Sequence, residues 1–131
     1  MPDHHLRIRV APEKVDEFAA AIGEQPNSHH GYAAPTYAMT LLGTTLFALL
    51  NDLDIDPEGD TVLHTSQRFD YNRQLRAGEI VDCRISMSDP SYQLAGESLK
   101  ITCQFIAGDG TTILTSTTGL VIRRDPRRGQ Q

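Results

Sequence analysis

The first third of the chain contains two short segments with different hydrophobic periods. Residues 5–10 alternate leucine, isoleucine and valine with histidine or arginine, and this period of two predicts a half-buried strand. In residues 13–22 the apolar positions follow the helical spacing i, i+3, i+4 and i+7 instead. These positions are Val15, Phe18, Ala19 and Ile22. Because Pro12 precedes the segment and Gly23 follows it, a short helix with one apolar face is predicted.

Residues 35–50 form the most apolar stretch of the chain. Its large apolar side chains fall on nearly every side of a helical wheel, and only residues 43–45 interrupt them. They are Met39, Leu41, Leu42, Leu46, Phe47, Leu49 and Leu50. A helix that is apolar all round has to be surrounded by protein, so this stretch is predicted to be a buried central helix.

The remainder of the chain is predicted to form strands. Residues 62–71 are rich in β-favouring side chains, and residues 81–87 and 99–105 alternate apolar with polar positions. A threonine-rich segment, 111–123, follows a Gly-Asp-Gly turn of the kind that joins hairpins. One buried helix followed by four strands predicts an α+β fold, in which an antiparallel sheet covers the helix with one face and exposes the other to solvent.

Length and charge narrow the class of protein. The 131 residues are enough for one domain and too few for two, so we place the domain at residues 5–124 and a flexible tail at 125–131. Lysine and arginine number 12 against 17 acidic residues, without a basic stripe outside the C-terminal arginines, so nucleic acid is not an expected partner. No stretch reaches the ~20 apolar residues of a membrane span, and no secretory signal is evident. We therefore expect a soluble, cytoplasmic protein without a membrane partner.

Cysteine and histidine positions argue against a metal site. Cys83 and Cys103 lie among alternating apolar residues, which predicts buried free thiols and fits a reducing compartment. Two pairs of adjacent histidines occur at 4–5 and 29–30, but neighbouring side chains point in different directions and no further ligand completes a known spacing. Neither a metal ion nor a cofactor is expected.

Four motifs occur in a fixed order along the chain. They are Val15-Asp16-Glu17-Phe18-Ala19, Ala34-Pro35-Thr36-Tyr37, the strand from Leu63 to Tyr71, and Leu75-Arg76-Ala77-Gly78-Glu79. Together they resemble the hot-dog domains of the MaoC-like hydratase and dehydratase group, especially the N-terminal half of its fatty-acid-synthase-type members, over residues 7–123. The resemblance implies a hot-dog fold and a double hot-dog homodimer. It also implies an apolar slot between the subunits for an acyl thioester on coenzyme A or acyl carrier protein.

The resemblance also indicates where acid/base chemistry is expected. Active members carry an Asp-x-Asn-Pro-x-His loop whose Asp and His activate water against an enoyl thioester. Residues 24–29 correspond to it and keep a carboxylate and an imidazole, Glu24 and His29, but change the middle of the loop. His64, on a strand beside the central helix, is the other candidate base. The structural alternatives are a strand residue bonded to backbone or water for His64, and a solvated loop position for His29.

The thioester oxygen gains negative charge in such reactions and needs hydrogen-bond donors. The resemblance places the backbone N–H near Ala38, at the positive end of the central helix, beside that oxygen. We expect the substrate to be bound by Pro35, Thr36, Tyr37, Ala38 and Thr40. Tyr37 has an alternative as an aromatic that packs on the sheet, and Pro35 as the residue that starts the helix.

Three functions are consistent with the sequence. The predicted one is an enzyme on acyl thioesters, thioesterase-like and/or adding water or an amine across an enoyl thioester. The alternative is a non-catalytic subunit that binds the acyl chain in a heterodimer with a catalytic hot-dog partner, and the third is a plain acyl-binding or structural module. Arg68, Arg73 and Arg76 are candidates for contacts with the phosphates or acidic surface of the carrier.

Overall fold

Six strands and one complete helix organise the described part of the chain. The structure is a computed structural model that describes residues 4–25, 31–33, 37–41, 53–56 and 58–126. Its elements are β1 (His4–Arg9), α1 (Pro12–Ala21), β2 (Thr61–Tyr71), β3 (Ile80–Met87), β4 (Ser91–Gln93), β5 (Gly96–Ile106) and β6 (Thr112–Arg123). The α+β class and the strands expected from the alternation are therefore confirmed.

The strands form one antiparallel sheet in the order β1-β3-β5-β6-β2, and β4 pairs with β5 beside this path. The buried residues of β3 and β5 face the same side because their register aligns them, with Cys83 opposite Phe105 and Ile85 opposite Cys103. Both cysteines are buried free thiols, as predicted. Their mutual hydrogen bond and their burial raise the pKa of Cys103, so this thiol stays protonated in the core.

Helical residues cover the apolar face of the sheet. Pro12 lies in the first turn of α1, where its missing N–H costs no hydrogen bond, and Val15 and Ala19 bury the inner side of this helix. A second helical piece, which we call the helical segment 37–41, begins in 3₁₀ conformation and continues as α-helix. The Phe18 ring packs edge-on against the Tyr37 ring with 5.6 Å between centroids, and this contact joins the two helical pieces.

The predicted central helix is described only over its first turn. Tyr37, Ala38 and Leu41 are buried in the same cluster as the inward residues of the sheet, which agrees with a helix lying on that face. Met39 points away and is 41% exposed, so within one chain the sheet covers a single side of this turn. Residues 42–50 lie outside the described residues, and their predicted helix stays a prediction.

The connection between β2 and β3, residues 72–79, fastens several parts of the chain. The Arg73 guanidinium forms two bonds to the Glu79 carboxylate, at 2.9 and 3.0 Å. The backbone of the connection also bonds to Val10 and to residues 31–33. Burial alone would raise the pKa of Glu79, but the bonds from Arg73 and from the Arg76 N–H outweigh burial and hold this pKa below its ordinary value.

A second polar clamp holds the segment before β2 against the end of β6. The Arg124 guanidinium contacts the carboxylates of Glu97 and Asp60, at 3.1 and 3.5 Å. It also donates to the backbone carbonyls of Leu53 and Asp54, at 3.0 and 2.7 Å. The Asp60 side chain is completely buried, so its charge depends on these contacts.

A short strand and a contact near the C-terminus were not expected from the sequence. β4 was not predicted, because three exposed residues carry no alternation of apolar and polar side chains. At the other end, the predicted tail begins with an ordered contact: the Asp125 N–H donates to the Asp60 carboxylate at 2.6 Å. Residues 127–131 lie outside the described residues, and the flexible tail stays a prediction.

Candidate active site

His64 lies on the inward face of an edge strand. Its backbone pairs with Leu120 of β6, whose side chain is buried in the core, and β2 pairs with no other strand within the described residues. The imidazole is nevertheless exposed, because nothing continues the sheet beyond β2 in this part of the chain. The edge therefore presents an accessible imidazole at the border of the core face.

A β-bulge brings a second polar residue to the same face. Side chains of a regular strand alternate, so residues 64 and 67, three positions apart, would point to opposite faces. The register shifts between His64 and Ser66: Ser66 pairs with Gly119, and Thr65 is the extra residue of the bulge. This extra residue turns Gln67 to the inward face, where it pairs with Thr118.

Gln67 joins the histidine to two buried hydroxyl groups. The His64 Nε2 atom lies 3.2 Å from Gln67 Oε1, and Thr118 Oγ1 donates to the same oxygen at 2.7 Å. The amide nitrogen donates to Ser116 Oγ at 2.8 Å and, at 3.4 Å, to the Arg68 carbonyl oxygen. Ser116 and Thr118 are fully buried, so this network extends from the exposed strand edge into the core.

These partners of His64 were not predicted from the sequence. A signal for the hydroxyls existed: residues 114, 116, 118, 120 and 122 are the inward positions of β6, and two of the five are Ser and Thr among Leu and Ile. Buried hydroxyls need partners, so they indicate a polar neighbour on an adjoining strand. Gln67 could not be assigned to His64 as a partner, because strict alternation places residues 64 and 67 on opposite faces.

The expected substrate-binding residues line a separate cleft. A cavity of about 490 Å³ opens between α1 and the helical segment 37–41. Its described lining includes apolar Ala11, Phe18 and Leu41, polar Tyr37 and Thr40, and charged Arg9, Lys14 and Glu17. Burial raises the pKa of Tyr37 and outweighs the opposing bond from Thr40, so its phenol stays a hydrogen-bond donor at neutral pH.

The other candidate residues occupy different places. Ala38 is fully buried, and Thr40 is exposed and donates its hydroxyl proton to the Tyr37 carbonyl oxygen at 2.8 Å. Glu24 is half-buried just after α1, where its N–H donates to the Ala19 carbonyl oxygen at 2.8 Å. His29, Pro35 and Thr36 lie outside the described residues, so their roles stay predictions.

The candidate bases and the residues that line the cleft are different sets within one chain. Neither His64 nor Glu24 is among the lining residues of the cleft that contains Tyr37 and Thr40. The hydrogen-bond partner of the His64 ring in this part of the chain is an amide, with no carboxylate in contact. One chain therefore separates the candidate base from the candidate donors.

The three arginines suggested for the carrier are already engaged within the chain. Arg68 contacts the Asp70 carboxylate at 3.0 Å. Arg73 is paired with Glu79, and the Arg76 guanidinium lies 5.6 Å from the centre of the Tyr32 ring. A carrier would have to compete with these partners, and contacts of the three arginines with a carrier stay a prediction.

Within the described ranges, neither a metal-binding cluster nor a membrane-crossing helix occurs. Among these residues no group of three or more His, Cys, Asp or Glu is placed to hold a metal ion. None of the helices described is long and apolar enough to cross a membrane.

Sequence comparison finds relatives over almost the whole chain. The profile of the FAS1-like, dehydratase domain region matches residues 2–115. A UPF0336 protein of Thermobifida fusca (strain YX) is 31% identical over 142 residues, covering 98% of this chain and 91% of that protein.

Solved structures share the fold at low identity. HtdX of Mycobacterium tuberculosis superposes with a TM-score of 0.78 and 15% identity, covering 95% of this chain, which spans only 52% of the HtdX chain. The C-terminally truncated HadBC (3R-hydroxyacyl-ACP dehydratase) complex of M. tuberculosis gives a TM-score of 0.75 and 16% identity, covering 91% of this chain and 93% of that chain. Slr0204, a 1,4-dihydroxy-2-naphthoyl-CoA thioesterase from Synechocystis, gives a TM-score of 0.70 at 9% identity, covering 97% of this chain and 86% of that chain. These likenesses confirm the predicted hot-dog fold.

Proposed function

Because the chain belongs to the family of the FAS1-like dehydratase domain region and to the UPF0336 proteins, we propose that it processes acyl thioesters carried by coenzyme A or acyl carrier protein. The reaction that the geometry supports best is the reversible addition of water to an enoyl thioester. The observation that carries this proposal is the position of His64, an accessible imidazole at the edge of the core face, held by a buried polar network. Imidazole transfers protons near neutral pH, as this reaction requires.

The chemistry needs one proton acceptor that also returns the proton. His64 would remove a proton from water while the water oxygen forms a bond to the β-carbon. The π electrons of the double bond move to the α-carbon and onto the thioester oxygen, and the imidazolium then gives its proton to the α-carbon. The sum is one water added, and the reverse sequence is a dehydration.

Donors for the thioester oxygen would come from the helical segment 37–41. The Tyr37 phenol remains protonated at neutral pH and lines the cleft, and the backbone N–H groups at the start of the segment carry partial positive charge. Phe18 and Leu41 give that cleft an apolar wall suited to an acyl chain.

We propose that the base and the donors come from two subunits. His64 stands on β2, which has one free edge in the described part of the chain, and it is absent from the cleft lined by Tyr37. Pairing of two β2 edges would continue the sheet and bring each His64 towards the other subunit, in a double hot-dog homodimer. The exposed Leu63 beside it, 41% accessible, and the exposed Met39 would gain cover in such a dimer.

Mixed dimers test this proposal directly. His64→Ala and Tyr37→Phe variants should each lose at least ~10-fold in the hydration of a short enoyl-CoA, because each removes one proton-transfer or donor group. Coexpression of the two should restore about a quarter of the wild-type rate, since half of the dimers are mixed and one of their two sites is intact. His5→Ala, on an exposed histidine of β1, is the matched control. Full activity in His64→Ala contradicts the role of the base, and no restoration in mixed dimers contradicts the shared site.

A second candidate function is a non-catalytic subunit that binds the acyl chain for a catalytic hot-dog partner. It is favoured by the absence of a carboxylate against His64 in the described residues and by the lining of the cleft, which does not include His64 among those residues. The chain also has about half the length of HtdX and nearly the full length of the chain matched in the HadBC complex. Activity that appears only after a second subunit is added, and that survives His64→Ala, would support this function instead.

Product analysis separates the possible reactions. The chain should convert an unsaturated thioester to its β-hydroxy product with the thioester intact, as detected by mass spectrometry. Release of free thiol from a saturated thioester would instead indicate a thioesterase, and a β-amino product in the presence of an amine would indicate amine addition.

A further inference from the structure

The Gln67 amide uses every hydrogen-bonding position it has. An amide nitrogen carries two hydrogens and an amide oxygen accepts two bonds. The nitrogen reaches Ser116 Oγ and the Arg68 carbonyl, and the oxygen receives Thr118 Oγ1 and the His64 ring. The amide is therefore fixed from all sides by groups that are themselves part of the sheet.

The Arg68 carbonyl determines which end of the amide faces His64. Ser116 and Thr118 hydroxyls can each donate or accept, so they would tolerate either orientation. A carbonyl oxygen can only accept, and the opposite orientation would place the amide oxygen against it without a hydrogen between them. Gln67 Oε1 thus faces the imidazole, and the ring nitrogen next to it, Nε2, has to be the donor.

From this arrangement we infer that Gln67 is a positioning residue that holds neutral His64 in the tautomer protonated at Nε2. The lone pair is then on Nδ1, which has no hydrogen-bond partner within the described residues. If the proposed function is right, Nδ1 is the atom that takes the proton from water, and this last step rests on that function. The tautomer itself follows from the bonds of Gln67 alone.

The bulge makes this device possible. In a regular strand His64 and Gln67, three positions apart, would point to opposite faces, and the bulge at residues 65 and 66 brings both to the inward face. The Arg68 carbonyl then keeps the amide from turning over, because a turned amide would lose its bond to this oxygen.

Nitrogen-15 NMR of the histidine side chains in the full chain tests the inference without any substrate. At about pH 8.5, where imidazoles are neutral, the two ring nitrogens of a single tautomer have well-separated shifts. We expect one tautomer for His64, protonated at Nε2, and mixed tautomers for the exposed His5 in the same spectrum. Disappearance of signals in His64→Ala and His5→Ala assigns the two rings. A His64 ring protonated at Nδ1, or averaged between tautomers, overturns the inference in the wild-type protein itself.

The Gln67→Met variant keeps the side-chain length and removes the polar end. It should convert His64 to the mixed tautomers seen for His5, whereas Ser116→Ala should leave the His64 tautomer unchanged because the bond to Gln67 Oε1 remains. In hydration assays Gln67→Met should lower kcat about 10-fold with little change in KM, the usual scale for a misoriented proton-transfer group. An unchanged tautomer in Gln67→Met overturns the positioning role whatever the rate. A changed tautomer with an unchanged rate keeps the positioning role and contradicts the proposed function.

Discussion

Gly119 is the residue of β6 that accommodates the bulge of β2, and its replacement gives a quantitative test of that geometry. A Cβ atom at this position would overlap Ser66 Oγ and lie 3.0 Å from Thr65 Oγ1. Overpacking of this kind costs about 1–3 kcal/mol. Alanine also reduces the freedom of the unfolded chain, which returns about 0.4–1 kcal/mol. Gly119→Ala should therefore destabilise the protein by the difference between these two terms, about 0–2.6 kcal/mol.

The Ser66→Ala change separates the clash from other effects. Ser66 is exposed, so Ser66→Ala alone should change the free energy of unfolding by less than about 0.5 kcal/mol. The double variant should return to within about 0.5 kcal/mol of wild type, because the overlapping atom is gone. Urea unfolding of the four proteins measures the coupling energy. Additive effects of the two substitutions would refute the bulge geometry.

Three further substitutions test parts of the fold that support the site. The folded-state pKa of Glu79 is lowered, so its stabilisation is present above the ordinary carboxyl pKa and is lost as pH falls below about 4. Glu79→Gln should accordingly lower the free energy of unfolding by about 1–3 kcal/mol at pH 7, as for a charged bond to Arg73, and by progressively less as the pH falls below about 4, measured by urea unfolding across this range. Gly96→Ala should destabilise the protein by at least ~2 kcal/mol in thermal unfolding, because φ is +134° there and a Cβ would overlap the Ile122 carbonyl oxygen. A melting temperature equal to that of wild type within experimental error would contradict this backbone conformation of Gly96. Asp60→Asn should cost about 1–3 kcal/mol in the same assay, because its amide would turn a donor towards buried donors, and an unchanged melting temperature would exclude Asp60 as an acceptor.

The sequence predicted those parts of the fold in which burial follows a simple period. β3 and β5 each have one face in the core, so their alternation was visible, and α1 has the spacing of a one-sided helix. β4 has three exposed residues and is held by pairing with β5 alone, so no hydrophobic signal marked it.

The candidate site was only partly predictable, for a related reason. His64 was chosen from the resemblance and from imidazole chemistry, and the fold does place it at the border of the core face. Its partner Gln67 was missed because a bulge changes the phase of the strand, and bulges depend on pairing with a distant strand that a single sequence does not display. The partners of the three arginines within the chain, such as Glu79 for Arg73, could not be predicted either, because they become neighbours only when the chain folds.

The unpaired residue in β2 affects how length changes in this strand act. Omission of Thr65 would remove the irregularity and leave the pairs of His64 with Leu120 and of Gln67 with Thr118 in phase, on one face. Omission of a residue beyond Gln67 would instead invert every side chain on one side of the gap. The protein should therefore tolerate deletion of Thr65 much better than deletion of a residue just beyond Gln67. A related sequence that lacks the bulge residue of β2 can still preserve the pair formed by the histidine and the amide.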